Sequence, residues 1–184
     1  TSLTRSAGNF PHGTVYGSDG QPKDIIVWCG NDYLGMGQNP QVLAAMHAAI
    51  DKVGAGSGGT RNISGTTPYH QELERSLADF HEKEAALIFT SGYVANEAAL
   101  QTLGTGLPEC VFFSDAHNHA SIIQGIRYSR AQKHIFDHNN VEELESQLRQ
   151  YPLDRAKIIV FESVYSMNGD IGKIQEICTL AKKY

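Results

Sequence analysis

Cysteine is scarce in this chain: Cys29, Cys110 and Cys178 lie far apart, and none belongs to a Cys-x-x-Cys pair. That odd number and spacing argue against a disulfide framework or a zinc knuckle and point to a reducing compartment. Long apolar runs are missing as well. Nothing approaches the ~20 residues needed to cross a bilayer, so the expectation is no membrane partner. Concentrated basic charge is the third absence. With a net charge of -5, a pI near 5.9 and scattered Lys and Arg, no field for nucleic acid exists. What remains, 184 residues with 41% hydrophobic content, suffices for one soluble globular domain with a core. The chain begins on Thr1 rather than Met and stops at Tyr184 within a helical pattern, which reads as a fragment.

Glycine, by contrast, is concentrated. Residues 54–66 read Gly-Ala-Gly-Ser-Gly-Gly-Thr-Arg-Asn-Ile-Ser-Gly-Thr, with little side-chain bulk to keep the backbone from a bound molecule. Gly54, Gly56 and Gly59 satisfy Gly-x-Gly-x-x-Gly, a dinucleotide fingerprint only between a strand and the helix it opens. Here Val42, Leu43, Met46, Ala49, Ile50 and Val53 recur at helical spacing and predict a helix over 40–53, which argues against that reading. The sequon Asn62-Ile63-Ser64 is treated as chance, since nothing else suggests secretion. A bare connector between helices explains the glycines but not the polar set Thr60, Arg61, Asn62, Ser64 and Thr66.

Along the chain, residues 1–23 read as an irregular arm with a short hairpin at 16–21, followed by a strand at 25–28 that Gly30 and Asn31 break. Helices are predicted over 40–53, from Pro68 with Leu73, Leu77 and Phe80 on one face, from about Tyr93 to Leu103, and over 120–128, 141–150 and 173–183. Strands are predicted at 85–89, 111–113, 134–136 and 157–161. This alternation predicts an α/β fold, a partial three-layer α/β/α arrangement with a mostly parallel sheet. Ligands bind beyond the carboxyl ends of such strands. Three loops leave strands in that sense, 90–93, 114–121 and 162–170, and their polar residues should converge.

Each loop carries candidate chemistry. Ser91-Gly92-Tyr93 follows a strand and opens a helix, a geometry that holds a phosphate on free N–H groups, although Ser91 can also serve as a plain N-cap. In Ser114-Asp115-Ala116-His117-Asn118-His119-Ala120-Ser121, the trio Asp115, His117 and His119 hints at a metal. A lone His-x-His is a weak metal signal, and no metal is expected. A flat imidazole at the mouth of a sheet suits stacking on an aromatic ligand, with Ser114 and Ser121 offering hydroxyls; helix capping accounts for Asn118. In the third loop Asn168-Gly169 signals a turn, Asp170 reads as a cap for the next element, and Glu162 and Ser166 remain for ligand contact.

Taken together, Asn31-Asp32-Tyr33-Leu34-Gly35, Gly58-Gly59-Thr60-Arg61-Asn62-Ile63-Ser64-Gly65-Thr66, Ser91-Gly92-Tyr93, Asn118-His119-Ala120-Ser121 and Tyr165-Ser166-Met167-Asn168-Gly169-Asp170 resemble the α-oxoamine synthases. These are pyridoxal-phosphate acyl-CoA transferases of the fold-type-I class. The Thr60–Thr66 block and Phe161-Glu162-Ser163-Val164-Tyr165-Ser166-Met167 look most like the branch that condenses glycine with succinyl-CoA to give 5-aminolevulinate for heme and tetrapyrrole biosynthesis. The likeness runs from about Ile25 to Tyr184, with motifs in family order. It implies residues 1–30 as an arm with the first strand and 31–184 as an incomplete pyridoxal-phosphate-binding large domain.

The resemblance also implies roles. His119 would stack on the cofactor ring, Ser166 would bond its phenolic oxygen, and Ser91, Gly92 and Tyr93 would hold its phosphate, with Glu162 beside the cofactor. Asn31 would meet the glycine carboxylate. Thr60 and Asn62 would bind the succinyl carboxylate, from the neighbouring subunit of a homodimer with its active site at the interface. Ser114 and Lys133 would contact the acyl-CoA. The family's Schiff-base lysine and the aspartate that pairs with the pyridinium nitrogen fall after Tyr184, and an expected arginine falls before Thr1. Lys23, Lys52 and Lys83 read as solvated, and Lys182 and Lys183 sit on the terminal helix. The 184-residue chain alone is therefore expected to be inactive.

Sister enzymes of the family, 2-amino-3-ketobutyrate CoA ligase and 8-amino-7-oxononanoate synthase, are the nearest alternative. Thr60 and Asn62 discriminate, because only a dicarboxylic acyl group needs polar partners at its far end. A non-catalytic binding module is the alternative of a different class, and good behaviour as a monomer would favour it. The implied location is the bacterial cytoplasm, or the mitochondrial matrix of a eukaryote.

Overall fold

The computed structural model describes residues 2–5 and 8–184, and the chain divides into two compact units, residues 1–71 and 72–184. The first unit opens with β1 (Ser2–Arg5), β2 (His12–Tyr16) and β3 (Pro22–Ile26), which pair antiparallel in that order. The hairpin expected at 16–21 is present, closed by the Gly20 N–H donating to the Gly17 carbonyl at 3.1 Å. The irregular arm, whose residues 1, 6 and 7 lie outside the described residues, is corrected to a three-stranded meander. Weak propensity there is offset by ladder hydrogen bonds such as those around Thr14, which faces both Thr4 and Asp24. The strand expected at 25–28 starts and ends earlier, at Pro22 and Ile26, and Trp28 is left 90% exposed.

α1 (Pro40–Val53) has both ends written in the sequence. The Asn39 side chain accepts from the N–H groups of Gln41 and Val42, Pro40 occupies the first turn, and Gly54 closes the helix at φ 85°. A helix therefore precedes the glycine loop, and the dinucleotide reading fails. The loop ends in a wide π turn, Arg61–Gly65, in which the Thr60 carbonyl accepts the N–H groups of Ile63, Ser64 and Gly65. A side chain at Gly65 would collide with the Gly59 backbone, so the turn needs glycine there.

The second unit is built on a parallel sheet. After α2 (Pro68–Phe80) and α3 (Gly92–Gly106) come β4 (Val111–Asp115), α4 (Ala120–Ser129), β5 (Gln132–Phe136), α5 (Val141–Leu148), β6 (Lys157–Val160) and α6 (Ile174–Lys183). The strand order is β5-β4-β6, both pairs parallel. β4 is buried along its whole length, and its side chains alternate between two cores. Val111 and Phe113 pack with Phe136, Leu144, Leu148, Ile177 and Leu180, under α5 and α6. Phe112 packs with Leu100, Cys110, Ile122 and Ile126, under α3 and α4. The result is the expected three-layer α/β/α arrangement, each large apolar side chain contributing roughly 1.5–3 kcal/mol on full burial.

Residues 85–89 correct the expectation of a buried strand. They run irregularly, pair with no strand among the described residues, and are anchored where the Ile88 N–H donates to Glu74 Oε1 at 2.9 Å. An apolar run becomes a strand only when a neighbour supplies its ladder, which the run does not encode.

Candidate active site

The carboxyl ends of β4, β5 and β6 each release a polar loop, and these loops meet. β4 delivers Asp115, whose side chain has no exposed surface. Its Oδ1 accepts the His117 N–H at 2.8 Å and faces His138 Nδ1 at 2.9 Å, while its Oδ2 accepts the Asn139 N–H at 3.0 Å. Burial by itself pushes the Asp115 carboxyl up, but these donors outweigh it and bring the carboxyl below its ordinary value. The Asp115 hydrogen bond is the main cause that raises His138 above the ordinary histidine value. Tyr165, 2% exposed, is pushed up to about 12 by burial, with the Asp115 and Glu162 carboxylates adding to it.

Asn118 is 5% exposed and ties β4 to β6, its Nδ2 donating to Ser114 Oγ at 2.9 Å and to the Val160 carbonyl at 2.8 Å. The capping role read for Asn118 is corrected. His119 is the N-cap of α4, its Nδ1 accepting the Ser121 N–H at 3.1 Å. Because Nδ1 already accepts there, the Ser121 hydroxyl 2.7 Å away must also donate to it, while Ser121 Oγ accepts from Asn96 Nδ2 on α3 at 3.0 Å. These bonds fix the orientation of the His119 ring. The His119 N–H in turn donates to Glu162 Oε1 at 2.5 Å. Asp170 is corrected likewise: it faces His138 Nε2 at 3.2 Å, whereas α6 is preceded by Lys173 with no side-chain cap.

A cavity of about 520 Å³ opens above these ties, lined by residues including His117, His119, Glu162, Tyr165, Ser166 and Met167. Tyr93, in the first turn of α3, meets His119 edge-on with ring centroids 6.1 Å apart. Ser91 caps α3 by accepting the Val94 N–H at 3.2 Å, and the Gly92 and Tyr93 N–H groups lie ahead of the first intrahelical acceptor. Of the three loops expected to converge, 114–121 and 162–170 share this cavity, while 90–93 reaches them through the Tyr93–His119 ring contact.

Two further residues fall elsewhere in the unit. Ser114 is buried beneath the cavity, its hydroxyl taken by Asn118, and Lys133 is exposed along the edge strand β5 outside the cavity lining. Asn31, Thr60 and Asn62 belong to the first unit, all three exposed, on the bend after β3 and in the π turn. Sequence reasoning passed over His138 and Asn139. The signal was there: Asp-His-Asn-Asn follows a predicted strand just as the other loops do.

A parallel sheet whose loops build a polar cavity beside a helix N-terminus defines the class. The chain belongs to the family Aminotransferase class I and II, which matches residues 23–184. More particularly, it is 56% identical over 182 residues to 5-aminolevulinate synthase 1 of Cereibacter sphaeroides, covering 99% of this chain and 45% of that protein. It is 54% identical over 183 residues to the mitochondrial 5-aminolevulinate synthase of Yarrowia lipolytica, covering 100% of this chain and 32% of that one. A solved serine palmitoyltransferase from S. paucimobilis with bound PLP–myriocin aldimine superposes with a TM-score of 0.87 at 37% identity, over 99% of this chain and 44% of that chain. The chain spans less than half the length of these relatives.

Proposed function

We propose that this chain carries the cofactor-facing part of a pyridoxal-phosphate acyltransferase that condenses glycine with succinyl-CoA to 5-aminolevulinate, CoA and CO2. The observation that carries the reading is the meeting of His119, Glu162 and Ser166 around one cavity, with Tyr93 edge-on to His119, in a chain 56% identical to a 5-aminolevulinate synthase. The residues present fit the cofactor. The cavity accommodates a substituted pyridine, the start of α3 offers N–H donors to a phosphate, and Asn118 Oδ1 is a buried acceptor with no protein partner among the described residues.

When bound, pyridoxal phosphate supplies an electron sink for the α-carbon of an amino acid. The chain's own residues bind and orient. Gly92 and Tyr93 N–H groups, with Ser91, receive the phosphate. His119, its ring fixed by Ser121, presents a flat face, and Ser166 offers a hydroxyl to the phenolic oxygen. Glu162 pins the His119 backbone rather than acting on substrate. Asn31 takes the glycine carboxylate, Thr60 and Asn62 the succinyl carboxylate from the second subunit of a homodimer, and Ser114 and Lys133 the acyl-CoA. The compartment follows the source, cytoplasm in bacteria and mitochondrial matrix in eukaryotes, in keeping with the Yarrowia lipolytica relative being named mitochondrial.

The test is a chimera in which residues 1–184 replace the matching segment of the Cereibacter sphaeroides enzyme. The expected result is 5-aminolevulinate from glycine and succinyl-CoA, with acetyl-CoA a poor donor. A folded chimera that prefers acetyl-CoA or a long acyl-CoA overturns the assignment in favour of a sister synthase. The 184-residue chain alone should form no product, because no lysine lines its cavity among the described residues.

A further inference from the structure

His138 is absorbed by none of these roles, yet groups from the loops after β4 and β6 converge on it. It stands just past β5, with Nδ1 2.9 Å from Asp115 Oδ1 on the loop after β4 and Nε2 3.2 Å from Asp170 Oδ2 on the loop after β6. The His117 ring stacks on it at 4.2 Å and 13°, and Tyr165 meets it edge-on at 4.4 Å and 84°. Asn139 reinforces the junction, with its N–H on Asp115 Oδ2, its Nδ2 donating to the Ile171 carbonyl at 3.2 Å and its Oδ1 accepting the Lys173 N–H at 3.3 Å.

Two functions compete for this cluster. A metal is the first, since His117, His138 and Asp170 offer ligand atoms within 4.8 Å of one another. Ring nitrogens bind cations along in-plane lone pairs at ~2.1 Å. Two rings stacked 13° from parallel send those lone pairs side by side, so they do not meet on one ion. A hydrogen-bonded tie is the second. An imidazole facing carboxylates from both nitrogens donates to both only when it carries both protons.

We infer that His138 is a positioning residue: as a cation bridging Asp115 and Asp170, it locks the loops after β4, β5 and β6 together and so holds His119 and Ser166 on the cavity wall. The inference rests on the cofactor reading only for what the cavity receives. The groups that face His138 are Asp115 and His117 from the β4 loop, the neighbouring Asn139, whose Nδ2 lies 3.2 Å from His138 Nε2, and Asp170 and Tyr165 from the β6 loop. The charge on His138 therefore sets whether the two loops hold.

The experiment uses the 184-residue chain, isotope-labelled, as wild type, His138→Gln and Asp170→Asn. Nuclear magnetic resonance follows amide exchange at Tyr165, Gly169 and Gly172, whose N–H groups bond within the β6 loop, together with the His119 ring and Ser166 signals. Calorimetry measures affinity for pyridoxine 5′-phosphate, an alcohol that forms no covalent bond with lysine. In His138→Gln, loop exchange should quicken about tenfold, the His119 and Ser166 signals should shift or broaden, and affinity should fall about tenfold, while β4 amides stay protected. Asp170→Asn, which removes one end only, should move each readout the same way by less. Wild-type affinity should drop as pH rises through the His138 titration, a step missing from His138→Gln. Unchanged His119 and Ser166 signals in both variants overturn the proposal, as does a wild-type pH step that survives in His138→Gln. If the wild type binds no probe, the cofactor reading falls, and the His119 and Ser166 signals alone decide the positioning role.

Discussion

His138 Nδ1 lies 2.9 Å from Asp115 Oδ1, joining a half-buried imidazole to a carboxylate with no exposed side-chain surface. The two residues are 23 apart in sequence and stand at the carboxyl ends of neighbouring parallel strands. An unpaired carboxylate at that depth is costly, so the pair and the backbone donors around it stand or fall together.

The first prediction concerns pH. Asp115 is held below its ordinary value of 3.8, so its contribution is present above that pH and is lost as pH falls through the folded value. His138 is raised above 6.5, so its contribution is complete below 6.5 and is lost as pH rises through the folded value. Urea unfolding should show greatest stability between these limits, with a decline on the alkaline side that His138→Gln abolishes. An alkaline decline of equal size in His138→Gln would mean that another group causes it.

Asn118 provides the second. Its side chain is the only described hydrogen bond from the β4 loop to the last residue of β6, and two acceptors depend on it. Asn118→Ala should cost about 1–3 kcal/mol in denaturant unfolding, the range for leaving buried partners unsatisfied. A loss under about 0.5 kcal/mol would show that water replaces the amide.

These two residues also mark how far the sequence was readable. β4 was legible because a run buried on both faces announces itself in composition, and α1 because Asn39-Pro40 and Gly54 are local start and stop signals. The partner of Asn118 is a carbonyl 42 residues away, which no local pattern encodes, and capping was the natural reading. Residues 85–89 failed for the same reason in reverse: an apolar run was present, but no strand among the described residues pairs with it. His138 was within reach, since its loop leaves a strand already predicted to end at Phe136.

The third prediction tests the packing of α3 on α4. A methyl group at Gly125 would stand 2.9 Å from the Glu97 Cα and carbonyl oxygen, both backbone atoms that cannot swing aside. Gly125→Ala should therefore destabilise by about 1–3 kcal/mol, even though alanine is the better helix former by about 1 kcal/mol. Gly106, with nothing within 4 Å of an added methyl, is the internal control, and Gly106→Ala should be near neutral. Equal effects at both positions would remove close helix approach as the reason for Gly125.

The last prediction addresses the acyl group. Thr60 and Asn62 stand exposed at the π turn, where the Thr60 carbonyl is occupied by three N–H groups but its hydroxyl has no partner in the described hydrogen bonds. A succinyl chain ends in a carboxylate that needs donors once it leaves water, whereas an acetyl chain has no such end. In the chimera, Thr60→Val with Asn62→Leu should lower kcat/KM for succinyl-CoA by roughly a hundredfold and for acetyl-CoA by no more than about threefold. The turn itself should survive, because it is held by the Thr60 carbonyl and by the Thr66 hydroxyl donating to the Arg61 carbonyl at 2.8 Å, not by the side chains of Thr60 or Asn62, and its tight contact lies at Gly65. Losses of equal size for both donors would mean that the pair shapes the turn rather than reading the acyl chain, and the dicarboxylate assignment would fall with it.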